Sequence, residues 1–132
     1  DSMITRGMSI TTARKLMQMV GLTMSAVFML LAMDVDSALH AMFLMCGALG
    51  GAAFTWAGFV PNHLDIAPRY ADVLMGLTNT AGTVPGIIGV VLTGWLIDTT
   101  GTYSAAFALG AGINIFGAVV WLAFASGEKI ID

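Results

Sequence analysis

The chain has 132 residues, of which 58% are hydrophobic and only 10% charged, and its formal net charge is −3. Soluble domains carry about 25% charged residues, so this composition excludes an ordinary water-facing surface and favours a protein embedded in a bilayer. The acidic balance excludes the basic patch that a nucleic-acid partner needs, and the single cysteine, Cys46, excludes an internal disulfide. No cysteine and histidine cluster has metal-ligand spacing, so we expect no metal and no cofactor.

The N-terminal segment is polar and basic, and it begins with Asp1 rather than a methionine. It lacks the apolar core and the small-residue cleavage site of a signal peptide. We interpret this beginning as a cut through a longer chain. A naturally short membrane protein is the alternative hypothesis.

Four apolar runs without Lys, Arg, Asp or Glu follow in chain order, at 16–33, 38–60, 73–97 and 103–125. Each is long enough to cross a bilayer as a helix, and none has the alternation of a barrel strand. The pattern predicts an all-α membrane protein with four transmembrane helices in one bundle. His40 is the only candidate for an ionisable catalytic group inside a run, which argues against an enzyme.

The orientation of the bundle follows from the basic residues. All five Lys and Arg residues lie before the first run, between the second and third, or after the fourth: Arg6, Arg14, Lys15, Arg69 and Lys129. The other two connections contain acids but no basic residue. The positive-inside rule therefore predicts that both ends of the chain are cytoplasmic.

Small residues four apart predict where the helices touch. Gly47 and Gly51 have this spacing in the second run, and Gly82 and Gly86 have it in the third. Such spacing lets helix backbones approach closely in lipid. Tight packing explains the pattern, and sliding between helices is the functional alternative.

Pro85 lies in the interior of the third run, where it removes a backbone donor and predicts a bend. Asn79, Thr80 and Thr83 lie within two turns of it. These polar side chains are candidates either to satisfy the freed backbone groups or to line a solute path.

The connection at 61–72 concentrates charge and polar chemistry, and its composition predicts a compact turn with two prolines. Asp65 and Arg69 are a candidate ion pair, and His63 beside Asp65 is a candidate titrating group. The structural alternative is a loop held by local hydrogen bonds, in which an exposed ion pair contributes roughly 0–1 kcal/mol.

The residues of this connection also carry a family resemblance. The run Asn62-His63-Leu64-Asp65-Ile66-Ala67-Pro68-Arg69-Tyr70, followed by Leu74-Met75-Gly76 and Thr78-Asn79-Thr80-Ala81-Gly82-Thr83, resembles the anion:cation symporter branch of the major facilitator superfamily. That branch includes vesicular glutamate transporters, sialin, sodium–phosphate cotransporters and plant plastid phosphate and ascorbate transporters. The ending Phe124-Ala125-Ser126-Gly127-Glu128-Lys129 is also similar to that family.

The resemblance implies that residues 1–132 are the C-terminal part of a transporter domain, with the four spans as helices nine to twelve of twelve. It implies a secondary active transporter that moves a phosphate-like or carboxylate anion, coupled to H⁺, Na⁺ or the membrane potential. The expected partners are the anion, the bilayer and the eight preceding helices of the same chain. A plastid or other organelle membrane is expected for a plant or algal type, and otherwise a vesicle, lysosome or plasma membrane.

Two groups of residues are then the site candidates. Asn79, Thr80 and Thr83 are expected to face the solute path. A cytoplasmic gate loop is expected to contain Asn62, His63, Asp65 and Arg69. The alternative function is a non-transporting four-helix membrane protein with an assembly or interaction role.

Overall fold

The computed structural model describes the backbone of residues 2–130 and the side chains of residues 4–130. A single turn, α1, precedes four long helices: α1 (Ser2–Thr5), α2 (Ile10–Leu31), α3 (Ala38–Ile66), α4 (Ala71–Thr100) and α5 (Ser104–Phe124). Short 3₁₀ turns cover Ala32–Asp34 and Pro68–Tyr70, and the described part of the chain contains no strand. The predicted all-α architecture with four long apolar helices is confirmed.

Helix α2 begins earlier than the first apolar run, because its first turn is capped and its charges have partners. Ser9 is the N-cap, and its side chain accepts a hydrogen bond from the Thr12 backbone N–H. Arg14 binds Asp65, and Lys15 Nζ donates to the Leu122 carbonyl at 2.7 Å. Arg14 and Lys15 therefore lie inside α2, although the apolar run that predicted this helix begins only at residue 16.

Helices α3 and α4 are longer than the hydrocarbon core of a bilayer requires. Their 29 and 30 residues correspond to about 45 Å at 1.5 Å per residue, against a core of about 30 Å. Gly101, at φ +70°, ends α4 in the left-handed conformation, and its N–H donates to the Ile97 carbonyl. The ends of both helices therefore extend beyond an average membrane core.

The closest helix contact is between α2 and α3, and small residues make it possible. A Cβ built on Gly51 would lie 3.0 Å from the Ser25 backbone nitrogen, and one on Gly21 would lie 2.8 Å from the Thr55 nitrogen. The buried Ser25 hydroxyl donates to the Ala48 carbonyl at 2.6 Å. We call this contact the α2–α3 seam.

Helix α5 packs on the other side of α2. Gly110 faces the Met29 sulfur, and Asn114 Nδ2 donates to the Gly110 carbonyl of its own helix. At the acidic end of the bundle, the Ser104 hydroxyl donates to the Met33 carbonyl at 2.5 Å. Helices α2, α3 and α5 therefore form the packed part of the molecule.

Helix α4 is the least packed of the four. Ala71 is the only buried residue of this fully described helix. Its apolar side chains, including Val73, Val90 and Trp95, are more than half exposed within the chain. A face of this kind suits contact with lipid or with further helices, not with water.

Candidate functional site

The basic end of the bundle contains a nearly buried ion pair between α2 and α3. Arg14 Nε donates to Asp65 Oδ2 at 2.6 Å, and the side chains are only 10% and 16% exposed. The second guanidinium nitrogen, Nη2, lies 3.4 Å from Asp65 Oδ1. This bidentate arrangement fixes the orientation of both side chains and links the beginning of α2 to the end of α3.

The structure corrects two predictions about this region. Residues 61–66 are not a loop but the last turns of α3, which runs through Pro61 to Ile66. Asp65 pairs with Arg14 and not with Arg69, which is exposed in the following 3₁₀ turn. The helical conformation at Asp65 points its carboxylate across the seam, and the arginine that meets it there comes from a distant part of the sequence.

His63 lies two residues before Asp65 on α3 and is 5% exposed. Its Nδ1 lies 3.0 Å from the Phe59 carbonyl, and its Nε2 lies 3.1 Å from the Thr78 hydroxyl on α4. The Phe59 ring meets the imidazole edge to face, with centroids 4.7 Å apart. His63 therefore joins α3 to α4 through a side-chain hydrogen bond.

Two amide side chains complete the polar group at this end. Asn62 and Gln18 are each 9% exposed. Their side-chain oxygens have no hydrogen-bond partner among the described residues, and the same holds for Nε1 of Trp121 on α5. Buried polar atoms without partners are costly, so this end of the bundle has hydrogen-bonding capacity that the described chain does not use.

The segment after α5 crosses the same end of the bundle. The Gly127 N–H donates to Thr11 Oγ1 at 2.9 Å, and the Ile130 N–H donates to the Ile66 carbonyl at 2.8 Å. A Cβ at Gly127 would lie 2.9 Å from the Thr11 backbone nitrogen, so only glycine fits this approach. The ends of α2, α3 and α5 are therefore held together by the backbone of 125–130.

The candidate path residues lie apart from this cluster, further along α4. Asn79, Thr80 and Thr83 are all exposed within the chain. Thr80 donates to the Gly76 carbonyl and Thr83 to the Asn79 carbonyl, both within the helix. The structure shows these residues on an open face, and whether they line a solute path stays a prediction.

The two predicted glycine pairs have different surroundings in the structure. Gly47 and Gly51 face α2, where a Cβ would meet the Phe28 ring at 2.6 Å and the Ser25 backbone at 3.0 Å. Gly82 and Gly86 meet nothing within 4 Å. Pro85 lies between the latter two, and α4 continues through it as an α-helix.

Sequence analysis missed several residues of the seam and of the basic end. Gly58 and Gly21 approach the partner backbone as closely as Gly51 does, and Gly58 continues the small-residue spacing of Gly47, Gly51 and Thr55. That spacing could have predicted the place of Gly58 in the seam. No sequence pattern pointed to Thr78, because its partner His63 is on another helix.

The opposite end of the bundle contains an open cavity of about 730 Å³ between the 3₁₀ turn after α2 and the start of α5. Asp34, Asp36 and Tyr103 line it, and all three are exposed. The described residues contain no group of three His, Cys, Asp or Glu side chains that could hold a metal ion.

Four helices of the described chain are long and apolar enough to cross a membrane. Helices of this length and hydropathy, packed through small residues and exposing apolar side chains, define an integral multi-pass membrane protein. No family model matches the chain.

Comparison with curated proteins shows which membrane proteins the chain is related to. It is 40% identical over all of its residues to the chloroplastic sodium-dependent phosphate transport protein 1 of Arabidopsis thaliana, and 39% identical to that plant's chloroplastic ascorbate transporter. It is 37% identical, over 98% of its length, to the voltage-gated purine nucleotide uniporter SLC17A9 of Mus musculus. Along its whole length, the chain is therefore homologous to a part of these major facilitator anion transporters.

The chain spans about a quarter of the length of these relatives: 26% of the phosphate transport protein, 24% of the ascorbate transporter and 29% of the nucleotide uniporter. The matched segment is the C-terminal part of these transporters.

Proposed function

We propose that the chain is part of a secondary active transporter that moves an organic or inorganic anion across a membrane. The observation that carries this proposal is identity of 37–40% along nearly the whole chain to proteins named as transporters of phosphate, ascorbate and purine nucleotides. These solutes share negative charge, so a phosphate-like or carboxylate anion is the substrate class. Transport is coupled to H⁺, to Na⁺ or to the membrane potential.

In this proposal the four spans are helices nine to twelve of a twelve-helix fold, and eight preceding helices are their partners. The bare face of α4 supports it. Asn79, Gly82, Thr83 and Gly86 lie within about 100° of one another around the helix, and neither glycine meets another part of the chain. Such a face allows close approach of another helix or of a solute.

The proposed orientation puts both ends of the chain in the cytoplasm. Arg14, Lys15 and Arg69 lie at the end of the bundle where α2 begins and α3 ends, whereas Asp34 and Asp98 lie at the opposite end. The positive-inside rule assigns the first of these ends to the cytoplasmic side. The polar cluster of Asn62, His63, Asp65 and Arg69 then belongs to a cytoplasmic gate.

The test is anion uptake by the complete open reading frame that contains this chain, purified and reconstituted into proteoliposomes. Radiolabelled phosphate, ascorbate and ATP are offered in turn, with an imposed pH, Na⁺ or potential gradient. We expect uptake of at least one anion that responds to one of the gradients. Absence of uptake for all of them, in protein shown to be folded, would contradict the proposal and favour a non-transporting membrane protein.

A further inference from the structure

The buried imidazole of His63 joins the packed helices to α4. Among residues 4–130, no other side-chain hydrogen bond connects α3 with α4. Because Ala71 is the only buried residue of α4, this bond is a large part of what attaches the helix to α3.

The hydrogen-bond partners of His63 define where its protons are. The Phe59 carbonyl only accepts, so Nδ1, at 3.0 Å, carries a proton and donates it. In the neutral ring, Nε2 is then an acceptor, and the Thr78 hydroxyl must donate to it across 3.1 Å.

The Thr78 hydroxyl has a competing acceptor. The same Oγ1 lies 2.9 Å from the Leu74 carbonyl and 3.2 Å from the Met75 carbonyl, both in the preceding turn of α4. A hydroxyl has one proton to donate. With a neutral His63 it satisfies either the imidazole or its own helix, but not both.

A proton bound at Nε2 removes this competition. The new N–H donates to Thr78 Oγ1 as acceptor, and the hydroxyl proton of Thr78 is then free to bond the Leu74 carbonyl. The imidazole, the Thr78 hydroxyl and the Leu74 carbonyl then all have hydrogen-bond partners at once, and no other bond has to break.

We propose that His63 is a proton-binding site whose occupancy sets how firmly α4 is held against α3. The protonated imidazole locks Thr78 and with it the first turns of α4, whereas the neutral imidazole leaves the link weaker. In the transporter of the proposed function, on which the functional consequence rests, this makes the movement of α4 responsive to pH.

The surrounding charges are compatible with a switch confined to His63 and Thr78. The ionisable side chains on the elements packed against this end of α3 are Arg14 and Lys15 on α2, Arg69 and Tyr70 in the 3₁₀ turn, and Asp72 on α4. The segment after α5 adds Glu128 and Lys129, which are both exposed. Arg14 neutralises the neighbouring Asp65, and Lys15 bonds the Leu122 carbonyl. Arg69, Tyr70 and Asp72 are exposed, and α5 has no charged residue.

The test is hydrogen–deuterium exchange of the complete protein in nanodiscs at about pH 5 and about pH 8. Exchange in the first three turns of α4 is normalised to the intrinsic rate at each pH. We expect acidification to slow it about fivefold, the typical effect of gaining one hydrogen bond. Thr78→Ser, which keeps the hydroxyl, and His40→Gln, which removes an exposed histidine, retain this response.

His63→Gln and Thr78→Val are expected to abolish the pH response of α4. A response that persists in both variants, or its absence in the unaltered protein, would overturn the inference. Anion uptake measured over the same pH range separates the two proposals. An intact exchange response without any uptake supports the proton switch and contradicts the transporter function, whereas uptake with an unresponsive α4 does the reverse.

Discussion

The α2–α3 seam and the open face of α4 use the same residue type, glycine at helical spacing, in opposite ways. In the seam, Gly51 and Gly58 lie where an added Cβ would come within about 3 Å of a partner backbone. On α4, Gly82 and Gly86 meet nothing. The seam is a complete interface between two helices, whereas no part of the described chain covers the α4 face.

A stripe of small residues therefore allows another helix to approach closely, but it does not determine which helix that is. In lipid, apolar side chains gain little by leaving their surroundings, so shape and hydrogen bonds decide which helices associate. The α2–α3 seam has both, because Ser25 bonds the Ala48 carbonyl in the middle of the glycine contacts. The hydroxyls of Thr80 and Thr83 bond only within α4.

The largest effect is expected from filling the seam. Gly51→Leu puts a side chain against the Ser25 backbone nitrogen, which lies 3.0 Å from the position of the added Cβ, and should destabilise the protein by about 3 kcal/mol. Its matched control is Gly50→Leu, where nothing lies within 4 Å and the change should stay within about 0.5 kcal/mol. Thermal unfolding of the purified proteins measures both, and equal losses would refute the assignment of the seam.

Removing one partner of the nearly buried ion pair should have the next largest effect. Arg14→Ala leaves the Asp65 carboxylate uncompensated and is expected to cost about 3 kcal/mol. Arg69→Ala, at an exposed arginine of the same end, should cost less than about 0.5 kcal/mol. If the Arg69 variant loses as much stability as the Arg14 variant, the pairing suggested by sequence is correct and the structural pairing is not.

The smallest loss of stability is expected from removing single hydroxyl groups. Ser25→Ala deletes a buried bond between two helices and is expected to cost about 1 kcal/mol. Thr80→Val deletes a bond within one exposed helix and should change stability by less than about 0.5 kcal/mol. The same unfolding measurement distinguishes them, and a reversed order would mean that α4, not the seam, holds the bundle together.

The helices were predictable because lipid imposes a simple rule. A long run without charge in a chain of this composition has few alternatives to a spanning helix, and Gly47 and Gly51 marked the seam for the same reason. The helix ends were harder. Arg14, Lys15 and residues 61–66 look like connections by composition, but tertiary partners keep them helical.

The ion pair could not be read from the sequence, because Arg14 and Asp65 are 51 positions apart and Arg69 offered a nearer partner. The link between His63 and Thr78 likewise depends on a tertiary contact, between the end of α3 and the first turns of α4. For α4, the limit is different. Its sequence shows a polar and glycine-rich face, but no contact in the described chain tells which role that face has.

In the proposed transporter, the α4 face that carries Asn79 and Thr83 is expected to belong to the anion path. Single cysteines at Asn79, Thr83 and, on the opposite side of the helix, Ile88 test it in the complete protein with Cys46 and all other cysteines replaced. We predict that a membrane-impermeant thiol reagent modifies the first two much faster than the third, and that the transported anion slows only those two reactions. Fast modification at Ile88, or no protection by anion at Asn79 and Thr83, would contradict the claim.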